Sequence, residues 1–183
     1  MYRALLLTGV SGVGKSTVAE AAGRVLTAAG CVTAVVDTDM LAQFGPPPES
    51  TPAGGRFYFY DELKCANLAA LWANFKAAGA RFVVVSAVID SLTLRERYTE
   101  SLADCEVRLI RLTADDDTVR SRLRQRDTGP KLEQHLRALN EHRRIPTTIG
   151  VEDFTVTNDR AAVEVATEIL VRAGWADPVW GAT

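Results

Sequence analysis

Near the N-terminus the run Gly9-Val10-Ser11-Gly12-Val13-Gly14-Lys15-Ser16-Thr17 fits the pattern G-x-x-x-x-G-K-[ST] at every fixed position. A chain that carries it needs a strand before the run and a helix after it, because the pattern works as a tight turn of backbone N–H groups closed around an anion. Glycine permits the turn and the close approach, here at Gly9, Gly12 and Gly14, with Val13 between the last two. The flanks comply. Ala4-Leu5-Leu6-Leu7-Thr8 is an apolar run of strand length, and from Thr17 to Ala29 apolar residues recur at helical spacing at Val18, Ala22, Val25 and Leu26. The chemistry to expect is phosphate binding: Lys15 reaches the β- and γ-phosphates, Ser16 sets its hydroxyl on Mg²⁺, Thr17 is next in line for the α-phosphate, and the positive end of the helix faces the nucleotide. Lys15 is one of only four lysines against 17 arginines, so its identity does not follow the chain's own habit.

At 183 residues and 47% hydrophobic content the chain can form one domain, 1–183, that buries about two-thirds of its unfolded surface. A net charge of −2 argues against nucleic-acid binding through a broad basic face and leaves small molecules as the expected partners. Cys31, Cys65 and Cys105 are scattered without C-x-x-C spacing, which suits buried thiols in a reducing compartment better than a disulfide framework or a zinc site. No stretch approaches the ~20 apolar residues of a membrane span, so no membrane partner and a cytoplasmic location are expected.

Along the chain, Val32-Thr33-Ala34-Val35-Val36 reads as a second strand and ends in Asp37-Thr38-Asp39. Carboxylates there sit at the ligand-binding edge of an open α/β sheet, or else cap the segment that starts at Met40. Phe44 to Gly55 is the one Pro/Gly-rich stretch and suits a surface loop. It leads to Arg56-Phe57-Tyr58-Phe59-Tyr60, where Arg56 and Tyr58 are candidates for a substrate wall with an anion clamp, while Phe57 and Phe59 equally fit packing on the sheet. Asp61 to Ala78 then reads as a helix, and Arg81 to Ser86 as a third strand. A phosphate-loop ATPase would end that strand in an acidic residue. Here it ends in Ser86, with Asp90 four positions later, so the metal falls to Ser16, waters and Asp37. Glu106 to Leu112 is a fourth strand, and Thr113-Ala114-Asp115-Asp116 reads as a capping box for a helix carrying Val119 and Leu123 on one stripe. Seven residues on from Val119 that stripe reaches Arg126, a charge on the inward line and hence a site candidate. A polar helix follows from Lys131 to Arg144, in which His135 and His142 read as ordinary surface or packing residues. Phe154 to Thr157 is a fifth strand, the last helix runs through Leu170, and two tryptophans in the tail from Trp175 are expected to pack back on the body.

Strands alternate with helices throughout, which implies an α/β fold: a three-layer, doubly wound, parallel five-stranded sheet. Together these residues resemble the phosphate-loop small-molecule kinases, in particular gluconate, shikimate and adenylylsulfate kinases. The resemblance rests on Gly9 to Ser16, on Asp37-Thr38-Asp39 as a D-x-D after the second strand, on Val84-Val85-Ser86-Ala87, and on Arg122-Leu123-x-x-Arg126. It implies a nucleoside-monophosphate-kinase-like fold with a lid around residues 120–145, and ATP and Mg²⁺ as cofactors. It also implies that Asp37 organises the metal or the substrate, that Asp39 accepts the proton of a hydroxyl on a small-molecule acceptor, and that Arg122 and Arg126 meet the nucleotide as the lid closes. The acceptor and the oligomeric state stay open, a homodimer included. The alternative is a nucleotide-dependent switch or ATPase acting on a protein partner.

Overall fold

The computed structural model describes residues 1–45, 55–142 and 150–175, with residues 55–58 and 142 described by backbone alone. Strands β1 (Tyr2–Thr8), β2 (Thr33–Asp37), β3 (Phe82–Ser86), β4 (Cys105–Thr113) and β5 (Phe154–Thr157) form one sheet in the order β2-β3-β1-β4-β5. Every neighbouring pair is parallel, so all five carboxyl ends share one edge. The register sets Leu7 opposite Ser86 and Ser86 opposite Asp37, which lines up the ends of β1, β3 and β2. Parallel strands need crossovers that cover both faces. Helices α1 (Lys15–Ala28), α2 (Gly55–Ala77), α3 (Leu92–Ser101), α4 (Asp116–Arg126), α5 (Gly129–His142) and α6 (Ala162–Arg172) lie between or after the strands and complete a three-layer α/β fold.

The central strand shows how the layers are held. Leu5 and Leu7 point into a cluster with Val18, Ala22 and Leu26 of α1 and Val165 and Ile169 of α6. Ala4 and Leu6 point the other way, onto Leu68 and Trp72 of α2 and Leu94 and Tyr98 of α3. The alternation is the two-residue period of a strand, and since both sides are apolar the strand reads as an unbroken hydrophobic run. Leu5, Leu6 and Leu7 are all fully buried, worth about 1.5–3 kcal/mol each.

Several element ends differ from the sequence expectation. Helix α1 starts at Lys15 rather than Thr17, capped by Gly14 in the left-handed region. Helix α2 starts at Gly55, so Arg56 to Tyr60 form its first turns rather than a stretch preceding it. Four consecutive aromatics carry neither a helical nor a strand period, which is why the boundary was not readable. The Phe59 ring packs on Phe44 and Tyr60, with centroids 6.0 and 5.3 Å away. Arg56 and Tyr58 have side chains outside the described residues, as does His142, and the Pro/Gly stretch from Pro46 to Gly54 lies outside them altogether. Helix α4 is capped by Asp115, whose carboxylate accepts from the Thr118 amide (2.8 Å) and hydroxyl (2.5 Å), while Thr113 belongs to β4. Of the cysteines only Cys65 is fully buried, and Cys31 and Cys105 are half-buried; all three are free thiols. Trp175 packs into the core against Phe82, as expected, while residues 176–183 lie outside the described part. Among the described residues no helix is long and apolar enough to cross a membrane.

Candidate active site

The glycine run leaves the end of β1 and wraps the start of α1. Gly9 has φ +139°, and a Cβ there would lie 2.5 Å from the Leu112 carbonyl oxygen. Gly14 has φ +101°, and its Cβ would lie 2.4 Å from Asn158 Nδ2. Both positions therefore require glycine on two grounds, conformation and space. Between them the Val13 side chain is buried in the core, and its carbonyl accepts from Asn158 Nδ2 (2.7 Å) and from Arg122 (3.1 Å). Held twice through this carbonyl, the loop is pinned from outside.

Lys15 lies over this loop and donates from Nζ to the carbonyls of Gly9 (2.9 Å) and Val10 (3.2 Å). Burial pulls its pKa down to about 8, against the opposing fields of Asp39 and Asp37. Because this lies below the ordinary 10.5, the unfolded chain binds the extra proton between about 8 and 10.5. Stability of the protein alone therefore rises with pH across that window, and below it the charged, buried ammonium is a standing cost.

The ends of β2 and β3 close the other side. Ser16 Oγ donates to Asp37 Oδ2 at 2.5 Å and lies 3.3 Å from Ser86 Oγ. The second Asp37 oxygen accepts from the Asp39 amide at 3.0 Å, which caps a single 3₁₀ turn, Thr38–Met40. Capping and site geometry, set against each other in the sequence, coexist in one carboxylate. That turn aims Asp39 outward, 3.9 Å from Lys64 of α2. Thr38 Oγ1 donates to the Ser86 carbonyl at 3.0 Å and ties the two strand exits together.

At the mouth of the cleft, Arg126 donates to Asp127 (2.8 Å) and to Ser11 Oγ (3.2 Å) of the loop. The Asp127 side chain is 1% exposed and also meets His135 Nδ1 at 2.7 Å and Lys131 at 3.5 Å. The Arg126 guanidinium holds its carboxyl far below the usual range, with His135 adding to the effect. Two expectations read differently here. Arg122, expected to meet the nucleotide as a lid closes, donates here to the carbonyls of Val13 and Asn158 (3.1 Å each), against the loop itself. His135, expected to be an ordinary surface or packing residue, is half-buried and pairs with Asp127.

These groups converge on a cleft of about 940 Å³, lined by the loop, Asp39, Ser86, Arg122, Arg126, Lys131, His135, Asn158 and Arg160. Thus Gly12, Gly14, Lys15, Ser16, Thr17, Asp39, Arg122 and Arg126 share one space, with Asp37 against it through Ser16. Sequence reasoning missed Asn158, Lys64, His135 and Asp127. Only Asp127 left a trace, as the break between two helical patterns.

A family model described as an AAA domain matches residues 5–145. The chain belongs to that family. The match spans β1 to α5 and takes in the glycine loop, Asp37, Asp39 and the Arg126–Asp127–His135 group. No curated protein sequence matches the AAA domain chain. Solved structures share its fold. The tunicamycin resistance protein of Deinococcus radiodurans is 20% identical, with 96% of this chain and 98% of that one covered and a TM-score of 0.62. The APS kinase CysC of Mycobacterium tuberculosis, in complex with AMPPNP and APS, is 22% identical over 94% and 98%, with a TM-score of 0.57. A gluconokinase of Sinorhizobium meliloti 1021 is 22% identical over 92% and 90%, with a TM-score of 0.55. The likeness is one of fold, and it is the fold of phosphate-loop small-molecule kinases.

Proposed function

We propose that the protein is an ATP- and Mg²⁺-dependent phosphotransferase that moves the γ-phosphoryl group to a hydroxyl of a small molecule. The observation that carries this reading is the division of labour between two carboxylates two positions apart in the chain: Asp37 has both oxygens engaged, on Ser16 and on the Asp39 amide, while Asp39 stands open on the cleft. The oxygen set of Ser16 and Asp37 suits Mg²⁺, a hard cation that takes one or two carboxylates and completes its shell with phosphate and water. Bound there, the metal would neutralise charge on the phosphates. Lys15 holds the transferring group, Arg126 approaches from the mouth of the cleft, and Asp39 orients the acceptor hydroxyl and takes its proton. Phosphoryl transfer asks for little beyond this positioning and neutralisation. The kinases of similar fold named above support the reading.

Transfer of label from γ-labelled ATP to a new small molecule, with ADP production slow until that molecule is added, is the expected result. Release of phosphate alone, stimulated by a protein and by no small molecule, would establish the switch ATPase instead. Arg126→Ala is expected to lower turnover about tenfold or more while nucleotide affinity changes less, since its contact tightens only as charge moves to the transition state. Comparing kcat with the nucleotide dissociation constant checks this.

The low pKa of Lys15 gives a second expectation. Phosphate oxygens beside the ammonium restore its proton, so binding above pH 8 requires proton uptake. With a free value of about 8, the dissociation constant for Mg·ATP should rise about tenfold between pH 7 and pH 9. Calorimetric titration at the two pH values measures it, and Lys15→Ala should flatten the difference.

A further inference from the structure

We propose that Asp127 is a positioning residue for phosphoryl transfer, its buried carboxylate holding the Arg126 guanidinium against the phosphate loop before any nucleotide arrives. In the phosphotransfer reading, on which this rests, Arg126 supplies positive charge to the transferring group, and Asp127 acts through it. Arg126 Nε lies 3.2 Å from each Asp127 oxygen and Nη2 lies 2.8 Å from Oδ2, so the carboxylate takes one edge of the guanidinium. The same Nη2 donates to Ser11 Oγ of the loop at 3.2 Å, and Nη1 is left on the side away from the carboxylate. The charge already reaches the loop's lysine: burial lowers the Lys15 pKa most, and the field of Arg126 adds to the fall. Such a pose has to be held. The Arg126 side chain is 54% exposed and gains rotamer freedom by swinging into water, and two cations drawn together repel. Asp127 opposes both.

Asp127 is itself fixed relative to the loop. Its side chain is enclosed, and its amide closes α4 by donating to the Leu123 carbonyl at 2.8 Å. Leu123 in turn lies on the loop, since a Cβ at Gly12 would be 2.8 Å from Leu123 Cγ. The contacts therefore run from Gly12 through Leu123 and Asp127 to Arg126, and back to the loop at Ser11. An enclosed carboxylate is a costly way to join two helices, and α4 and α5 have another joint, in which Val119 and Leu123 pack with Leu132, Leu136 and Leu139. His135 Nδ1 at 2.7 Å and Lys131 at 3.5 Å complete the surroundings of the carboxylate. A donor set in place beforehand stabilises developing charge without reorganising at the moment of reaction.

A double-mutant cycle on the full chain reads the coupling with water as the acceptor. The rate of ADP formation from saturating Mg·ATP is measured for the wild type, Asp127→Asn, Arg126→Ala and the double variant. Beside it are measured the dissociation constant for Mg²⁺ with a non-hydrolysable ATP analogue and the thermal midpoint. Asp127→Asn is expected to slow ADP formation about tenfold when Arg126 is present and less than about twofold when it is absent, with analogue affinity changed less than about threefold in either background. Equal fold-losses in both backgrounds, the mark of a role confined to joining the helices, overturn the proposal, as does a wild-type rate in Asp127→Asn. Arg126→Lys tests the same contact without touching Asp127, because it keeps the charge at an exposed position and loses the planar fork. It should slow ADP formation at least about fivefold, and an unchanged rate overturns the proposal. Failure of the phosphotransfer reading shows separately, as phosphate release without label transfer to any hydroxyl compound, and a wild-type chain that forms no ADP at all overturns both.

Discussion

Lys15→Ala is expected to lower turnover about 10²–10³-fold or more, the loss typical of removing one preorganised group aimed at developing charge. Its ammonium sits within the loop that carries Gly9 and Val10, in a site so desolvated that its pKa falls to about 8. A charge placed there interacts with phosphate oxygens through little water, which is what makes it effective. The fold should survive the change. The burial that holds α1 comes from Val18, Ala22 and Leu26, not from Lys15, and losing a buried ammonium at neutral pH removes a cost rather than a support. The measurements are kcat at saturating Mg·ATP, the nucleotide dissociation constant and the thermal midpoint. Wild-type values for the first two would remove Lys15 from the phosphate site.

Asp39→Asn is expected to lower turnover about 10²–10⁴-fold, the usual contribution of a positioned base, with nucleotide affinity nearly unchanged. The amide cannot take the acceptor's proton and gives Lys64 no ion-pair partner. Asp37→Asn should act differently, because Asp37 meets Ser16 and the Asp39 amide: the expected change is a raised Mg²⁺ requirement. The two variants are compared by kcat, by ATP affinity and by the Mg²⁺ dependence of rate. Small and equal effects would leave the pair with the cap of the 3₁₀ turn as its only task.

The loop, the five strands and the carboxyl-edge position of Asp37 and Asp39 were legible because each rests on local order: a fixed spacing, an unbroken apolar run, a strand end. What could not be read came from distance or from ambiguity of period. Asn158 reaches Val13 across 145 positions, and nothing near Asn158 announces it. His135 meets Asp127 only because the chain turns at Thr128-Gly129 between two helices, so neither helix's period relates them. Arg122 sits one turn before Arg126, and the family resemblance implied one role for both, meeting the nucleotide as the lid closes. Lys64 falls one turn after Tyr60 in a helix whose start was misplaced by the aromatic run.

The strand order has a consequence for how this chain is made. β1 is synthesised first yet lies in the middle of the sheet, and its partners begin only at Phe82 and Cys105. Pairings so remote must wait for long loops to close, the condition that slows folding. The last clasp on the glycine loop, the Asn158 side chain on the Val13 carbonyl, belongs to a residue just beyond β5. A ribosome therefore releases the phosphate loop long before the chain that can hold it, and a nucleotide-competent loop reports that the chain through Asn158 has arrived and folded.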